Sequence, residues 1–221
     1  MEIGVHHGKS FIPLYIGRRT SERALALDVF GEQEKNVDGS GRGNRERFLS
    51  NVERVCGAVD GLDIIEASSL DVSAKEVISK VGRCRIISID GGHTPEITRN
   101  DLAIASSCLI DGGLLILDDV FNPHWPGVAS GLAESISRDD FGLTPIAVLP
   151  GKMVFCDREH VSVYSSWLAS EYAGWVDYTR AAFGGTVMGI GVDGYSHVRA
   201  FKNSPFGMAL KAVLRKHRQA A

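Results

Sequence analysis

The sequence predicts a doubly wound α/β domain on a mostly parallel, seven-stranded sheet. Two observations carry that prediction. Short apolar runs of strand length alternate with segments of helical period through the first two-thirds of the 221 residues, the pattern of a parallel sheet covered on both faces. The polar residues after those runs also fall at equivalent places, the carboxyl ends of the strands, where open α/β sheets bind their ligands. They are Glu2 and Gly4 with Gly8, then Asp28, then Ser68 and Ser69, then Asp90 with His93, then Asp118 and Asp119.

In chain order, "EIGV" reads as a short strand ahead of a glycine and histidine loop and "KSFIPLYIG". "RALALDVF" is a second strand whose apolar run ends at Asp28. The polar, glycine-rich "GEQEKNVDGSGRGN" has the length of a functional loop, and a lid over the site is expected there. "RERFLSNVERVCGAV" has helical period, with Phe48, Val52 and either Val55 or Cys56 on one side. "LDIIEASS" is a third strand, and "DVSAKEVISKV" a helix capped by Asp71 or Ser73. "CRIISID" is a fourth strand.

"TPEITRNDLAIASSCLI" follows as a helix, with Pro95 in the first turn, where proline is tolerated. Asp111-Gly112-Gly113 is expected to close that helix. "LLILDDV" is a fifth strand, "GVASGLAESIS" a helix, and "LTPIAVLP" and "KMVFCDR" two closing strands around Pro150-Gly151. Beyond residue 157 the pattern is irregular. A helix over 161–183 with its aromatics packed in the core, a hairpin over 184–201 and a terminal helix are the expectations. Residues 1–157 therefore form the main domain, and 158–221 an extension that belongs to it or shapes a substrate or dimer region. The apolar character of that region suits a homodimer.

Composition narrows the function classes. The net charge of −3 argues against a nucleic-acid binder driven by bulk electrostatics. The basic stretch "LKAVLRKHRQ" reads as a solvated helix end. Apolar residues make up 44% of the chain, but no run is long enough to span a membrane, and no signal peptide is visible. The four cysteines are far apart and read as buried thiols of a reducing compartment, so the cytoplasm is the expected location. The chain enters a strand almost at Met1. Either this start is natural or a segment ahead of it is lacking.

The first loop has the form acid-x-Gly-x-x-x-Gly, which lets backbone approach a ligand closely. It is not the GxGxxG dinucleotide fingerprint. An acid at the end of the second strand, here Asp28, suits both hydroxyls of a ribose.

Together, "EIGVHHGKS", "ALDVF", "SIDGGHT" and "LIDGGLLILDDVFNPHWPGV" resemble the class I S-adenosylmethionine-dependent methyltransferases. The closest resemblance is to the branch containing the methyltransferase domain 24 proteins, the macrolide-sugar O-methyltransferases and the cephalosporin hydroxylase-like proteins. It covers roughly residues 1–130, and His6 stands where the common pattern has its middle glycine. The resemblance implies a Rossmann-like methyltransferase fold. Glu2, Gly4 and Gly8 would belong to the cofactor loop, Asp28 would hold the ribose of S-adenosylmethionine, Ser69 would lie near the adenine, and Asp90 would flank the cofactor.

Asp90, Asp118 and Asp119 match the acidic positions that bind a metal in the metal-dependent O-methyltransferases. Neighbouring strands would bring these carboxylates together, where they repel unless a cation or proton lies between them. Hard oxygen ligands suit Mg²⁺. His93 matches a histidine suited to be the catalytic base. The expected enzyme is thus a Mg²⁺-assisted O-methyltransferase acting on a hydroxyl of a small molecule, a sugar or secondary metabolite. The alternatives are an inactive S-adenosylmethionine-binding module and a nicotinamide-dependent oxidoreductase, against which the missing GxGxxG counts.

Overall fold

The computed structural model of the chain describes residues 1–138 and 141–192. It is an α/β fold around one sheet of nine strands in the order β3-β2-β1-β4-β5-β7-β6-β9-β8. The strands are β1 (Glu2–Ile3), β2 (Ala24–Asp28), β3 (Leu62–Glu66), β4 (Cys84–Ile89), β5 (Leu109–Asp118), β6 (Leu143–Leu149), β7 (Lys152–Asp157), β8 (Val176–Ala182) and β9 (Gly185–Ile190). The first five are mutually parallel. β7 runs antiparallel between β5 and β6, so two distant segments flank one returning strand. The hairpin expected around Pro150-Gly151 joins β6 to β7, and it is the returning arm that lies against β5.

Register brings the strand ends level. Ile3 pairs with Leu27 and with Ile89, Asp28 with Glu66, and Ile89 with Leu117. Gly4, Asp28, Asp90 and Asp118 therefore emerge along one edge. Alternation sends successive residues to opposite faces. Leu25 and Leu27 enter one core with Ile87, Leu102 and Leu132, while Ala24 and Ala26 enter another with Phe11, Tyr15, Phe48 and Val52.

The helices that cover these faces have local reasons to start where they do. In α2 (Arg45–Cys56) the Asn44 side chain accepts the Arg47 N–H at 2.8 Å. Its buried face is Phe48 and Val52 with half-buried Cys56, while Val55 points to solvent. Ser73 rather than Asp71 caps α3 (Ala74–Val81). Thr94 caps α4 (Pro95–Cys108), and Pro95 takes the first helical position. α1 (Phe11–Ile16) and α5 (Pro126–Ile136) complete the flanking layers.

Several expectations change. α4 ends at Cys108, and Asp111-Gly112-Gly113 lies inside β5, where the pairing with β4 shifts register between Cys84 and Ile86. The expected helix over 161–183 ends at Glu171 as α6 (Val161–Glu171), and Val176–Ala182 becomes β8. The hairpin is β8 with β9, turning at Phe183-Gly184, both at positive φ, the geometry that suits a two-residue turn between twisted strands. Trp167, Tyr172 and Trp175 are exposed rather than core. The supposed extension thereby adds two strands to the expected seven, because β9 finds a parallel partner in β6. The part of the expected 184–201 hairpin beyond residue 192 and the expected terminal helix lie outside the described residues. No helix among the described residues is long and apolar enough to cross a membrane.

Candidate active site

The level strand ends frame a cleft of about 820 Å³, within the range of small-molecule sites. Its floor is laid by Gly4, which has φ +82° and touches the next strand so closely that a Cβ there would stand 1.8 Å from the Asp90 carbonyl oxygen. Asp28 closes one end. Its Oδ2 accepts the His6 N–H at 2.7 Å and its Oδ1 accepts the Phe30 N–H at 2.6 Å. A carboxylate has about four lone-pair sites, so acceptor capacity remains for a ligand. Ser69 is buried and lines the same cleft, in the short turn Ser69–Asp71 whose Ser69 carbonyl accepts the Asn100 amide.

Two expected cofactor residues sit elsewhere. Gly8 packs against the Phe48 ring instead of lining the cleft. Glu2 is fully buried behind the cleft wall, and neither of its oxygens has a hydrogen-bond partner of good geometry among the described residues. Burial raises its pKa to about 7 against the opposing pull of the Ser10 and Ser88 hydroxyls.

At the other end stands His93, nearly buried, with one carboxylate near each ring nitrogen. Asp38 Oδ2 lies 2.9 Å from Nδ1 and also accepts the His93 backbone N–H at 2.5 Å. Asp119 Oδ2 lies 3.3 Å from Nε2, yet Nε2 makes no hydrogen bond of good geometry. The Trp125 ring stacks on the imidazole at 4.3 Å and 17°. It is held there because α5 starts hard against the His93 loop: a Cβ on Gly127 would come within 2.2 Å of the His93 carbonyl oxygen. Asp119 has φ +58°, a conformation unusual outside glycine. Its N–H donates to the Gly151 carbonyl and its Oδ1 accepts the Asn122 amide.

The structure thus gathers Asp90, His93 and Asp119, whose ligand atoms all lie within 4.8 Å of one another. Asp118 lines the cleft too, but its carboxylate meets the Lys152 ammonium. Asp90 has its pKa raised to about 6, by burial first and by the Asp118 and Asp119 charges next, with Lys152 opposing.

Sequence reasoning missed three residues. Asp38 comes from the 31–44 loop, which does lie over the cleft. Its Asp-Gly signature announced a turn, but nothing announced contact with a histidine 55 positions away. Lys152 stands opposite Asp118 in the β5–β7 register, legible only once β7 is known to neighbour β5. Asp101, on α4, is fully buried beside Ser69 and Gly91. Its helical period marked it as inward-facing, against the expectation for an acid.

Burial raises the Asp101 pKa from the ordinary 3.8 to about 7. An unfolded Asp101 loses its proton near 4 while the native one holds it to about 7. The native state therefore binds more protons across that interval, and stability falls as pH rises through it. Glu2 acts in the same direction between its ordinary 4.5 and about 7. Asp101→Asn is expected to flatten the fall and to exceed the wild type at pH 8 by about 2–4 kcal/mol. Urea denaturation at pH 5 and pH 8 measures it, and equal pH dependence in both proteins would refute the buried-acid account.

Known proteins share the family and the fold. The methyltransferase domain family matches residues 1–120. No curated protein sequence matches the chain. Among solved structures, the O-methyltransferase NovP superposes with a TM-score of 0.56 at 15% identity, over 71% of this chain and 70% of that one. CalS11, a TDP-rhamnose 3'-O-methyltransferase of calicheamicin biosynthesis, gives 0.51 at 18% identity over 71% and 70%. An O-methyltransferase from Bacillus cereus in complex with SAH gives 0.51 at 18% identity over 71% and 72%. The fold is that of a class I methyltransferase. The chain belongs to the methyltransferase domain family and is an S-adenosylmethionine-dependent methyltransferase of that class.

Proposed function

We propose that this enzyme transfers the methyl group of S-adenosylmethionine to a hydroxyl oxygen of a small molecule, a sugar or secondary metabolite, with His93 as the base and with help from a divalent cation of the Mg²⁺ type. The observation that carries the reading is His93 Nε2: a nearly buried imidazole nitrogen with no hydrogen-bond partner of good geometry, set in the cleft between Asp90 and Asp119.

The cofactor end fits S-adenosylmethionine. Asp28 keeps free acceptor capacity for the ribose hydroxyls, Gly4 lets its loop pass close against Asp90 and so lay the floor beneath the ligand, and Ser69 and Asp90 flank the space between. Glu2 and Gly8 act one layer back. Glu2 is a buried acid behind the wall, and Gly8 fixes the loop that carries the His6 N–H to Asp28. In this chain the oxidoreductase reading gives way to the methyltransferase domain match.

The donor set fits a hard cation through the carboxylates of Asp90 and Asp119, with Asp118 adding negative charge while Lys152 occupies its carboxylate. When bound, such a cation lowers the pKa of the acceptor hydroxyl. An imidazole nitrogen that ligates a metal has no lone pair left for a proton, so Nε2 is assigned to the proton and the carboxylates to the cation. Nε2 takes the hydroxyl proton. The oxygen then forms its bond to the methyl carbon as the carbon–sulfur bond breaks and S-adenosylhomocysteine leaves. Trp125, stacked on His93, forms the wall that orients the acceptor and keeps water away.

Incubating the full chain with S-adenosylmethionine and a panel of nucleotide sugars, glycosides and catechols tests this, with S-adenosylhomocysteine as the readout. The expected result is acceptor-dependent product that falls when EDTA is added. His93→Gln should lower it by about 10²–10⁴-fold. Tight cofactor binding without product from any acceptor would support the inactive binding module instead. Full activity of His93→Gln would remove the base assignment.

A further inference from the structure

The segment between β2 and α2 brings Asp38 onto the imidazole from outside the strand-end cluster. Its two carboxylate oxygens have separate tasks. Oδ1 accepts the Ser40 N–H at 2.8 Å and so shapes its own turn. Oδ2 faces His93, meeting the backbone N–H at 2.5 Å and Nδ1 at 2.9 Å. Burial would raise the Asp38 pKa, but the bonds from Ser40 and His93 outweigh it and hold the group below the ordinary carboxylate range. Asp38 is therefore an ionised acceptor at neutral pH. An acceptor against Nδ1 requires a proton on Nδ1, and a neutral ring then leaves Nε2 bare. Free histidine prefers the opposite tautomer, with the proton on Nε2, so the protein must impose this one.

We propose that Asp38 is the positioning residue of His93. Its carboxylate holds the proton on Nδ1, fixes the ring against Trp125 and thereby presents Nε2 as an unprotonated acceptor in the cleft. This rests on the reading of His93 as the base. The same segment carries Gly43 against the other end of the cleft, where a Cβ would stand 2.8 Å from Asp28 Oδ1. One loop thus supports both the ribose acid and the base, and the catalytic geometry is assembled only when that loop lies in place.

The experiment needs no methyl acceptor. The full chain, ¹⁵N-labelled at histidine, is studied at pH 8 with EDTA by long-range ¹H–¹⁵N correlation, which distinguishes the ring tautomers. The chain has 7 histidines, and the signal absent from His93→Gln assigns the one of interest. The expected wild-type result is a proton on Nδ1 and none on Nε2. Asp38→Ala removes the acceptor beside Nδ1 while Asp119 Oδ2 stays 3.3 Å from Nε2, so the expected result is inversion, with Nδ1 bare and the proton on Nε2. Asp38→Glu, which retains a carboxylate, should keep the wild-type tautomer. A wild-type ring with its proton on Nε2, a doubly protonated wild-type ring, or an Asp38→Ala spectrum unchanged from wild type would each overturn the proposal. Calorimetric titration of S-adenosylmethionine into the same proteins separates the two levels. A tautomer that does not depend on Asp38, with normal cofactor binding, removes the role of Asp38 alone, whereas no cofactor binding by the wild type removes the reading on which it rests.

Discussion

Asp28→Ala is expected to weaken S-adenosylmethionine binding by about 10²–10⁴-fold. Two effects combine. In the proposed binding mode the ribose hydroxyls lose a charged acceptor, worth about 1.5–3 kcal/mol for each hydrogen bond. The His6 and Phe30 N–H groups, held at 2.7 and 2.6 Å, lose their partner as well, so the cofactor loop that His6 belongs to is released. Asp28→Asn separates the effects, because its single remaining oxygen can satisfy one backbone donor or one hydroxyl but not the full set. It should fall between the wild type and alanine. Calorimetric titration measures all three, and an alanine variant within threefold of the wild type would mean that the ribose lies elsewhere.

Gly4→Ala should be the most damaging single-methyl change in the first loop, costing more than about 4 kcal/mol. At φ +82° an alanine is already strained, by roughly 1–2 kcal/mol. Here the added carbon would also stand 1.8 Å from the Asp90 carbonyl oxygen and 2.4 Å from its carbon. Neither atom can yield without moving the end of β4, and Asp90 with it. Gly57→Ala is the control. It has φ +77° but no atom within 4 Å of the added carbon, so it should cost only the conformational part, about 1–2 kcal/mol. Guanidinium denaturation compares the two, and similar losses would show that the close approach of β1 and β4 is softer than the geometry implies.

The alternation of apolar runs, a cap at Asp71 or Ser73, and Pro95 at a helix start were all local features, so the sequence displayed them. Among the described residues, the segment after Glu171 was not legible. Val176–Ala182 is a strand only because β9 pairs with it and because β9 in turn finds β6, pairings formed by distant segments. Its aromatics had helical spacing and no sequence feature to overrule it, yet Trp167 and Trp175 stay exposed.

The site divides the same way. A strand end followed by small residues is written in the chain, so Gly4, Asp28, Asp90, His93, Asp118 and Asp119 were nameable from local pattern and family resemblance. Pattern also set the level edge on which they emerge, because parallel neighbours in register must end together. Tertiary structure decided how those side chains are partnered. Lys152 takes Asp118 because β7 returns beside β5, and Asp38 takes Nδ1 of His93 because a polar loop folds back over the cleft. Side-chain pairing across long sequence separations depends on where the chain returns in space. The residue types fix the chemistry available at the strand ends, and the fold fixes which lone pair is left unpartnered in the cleft.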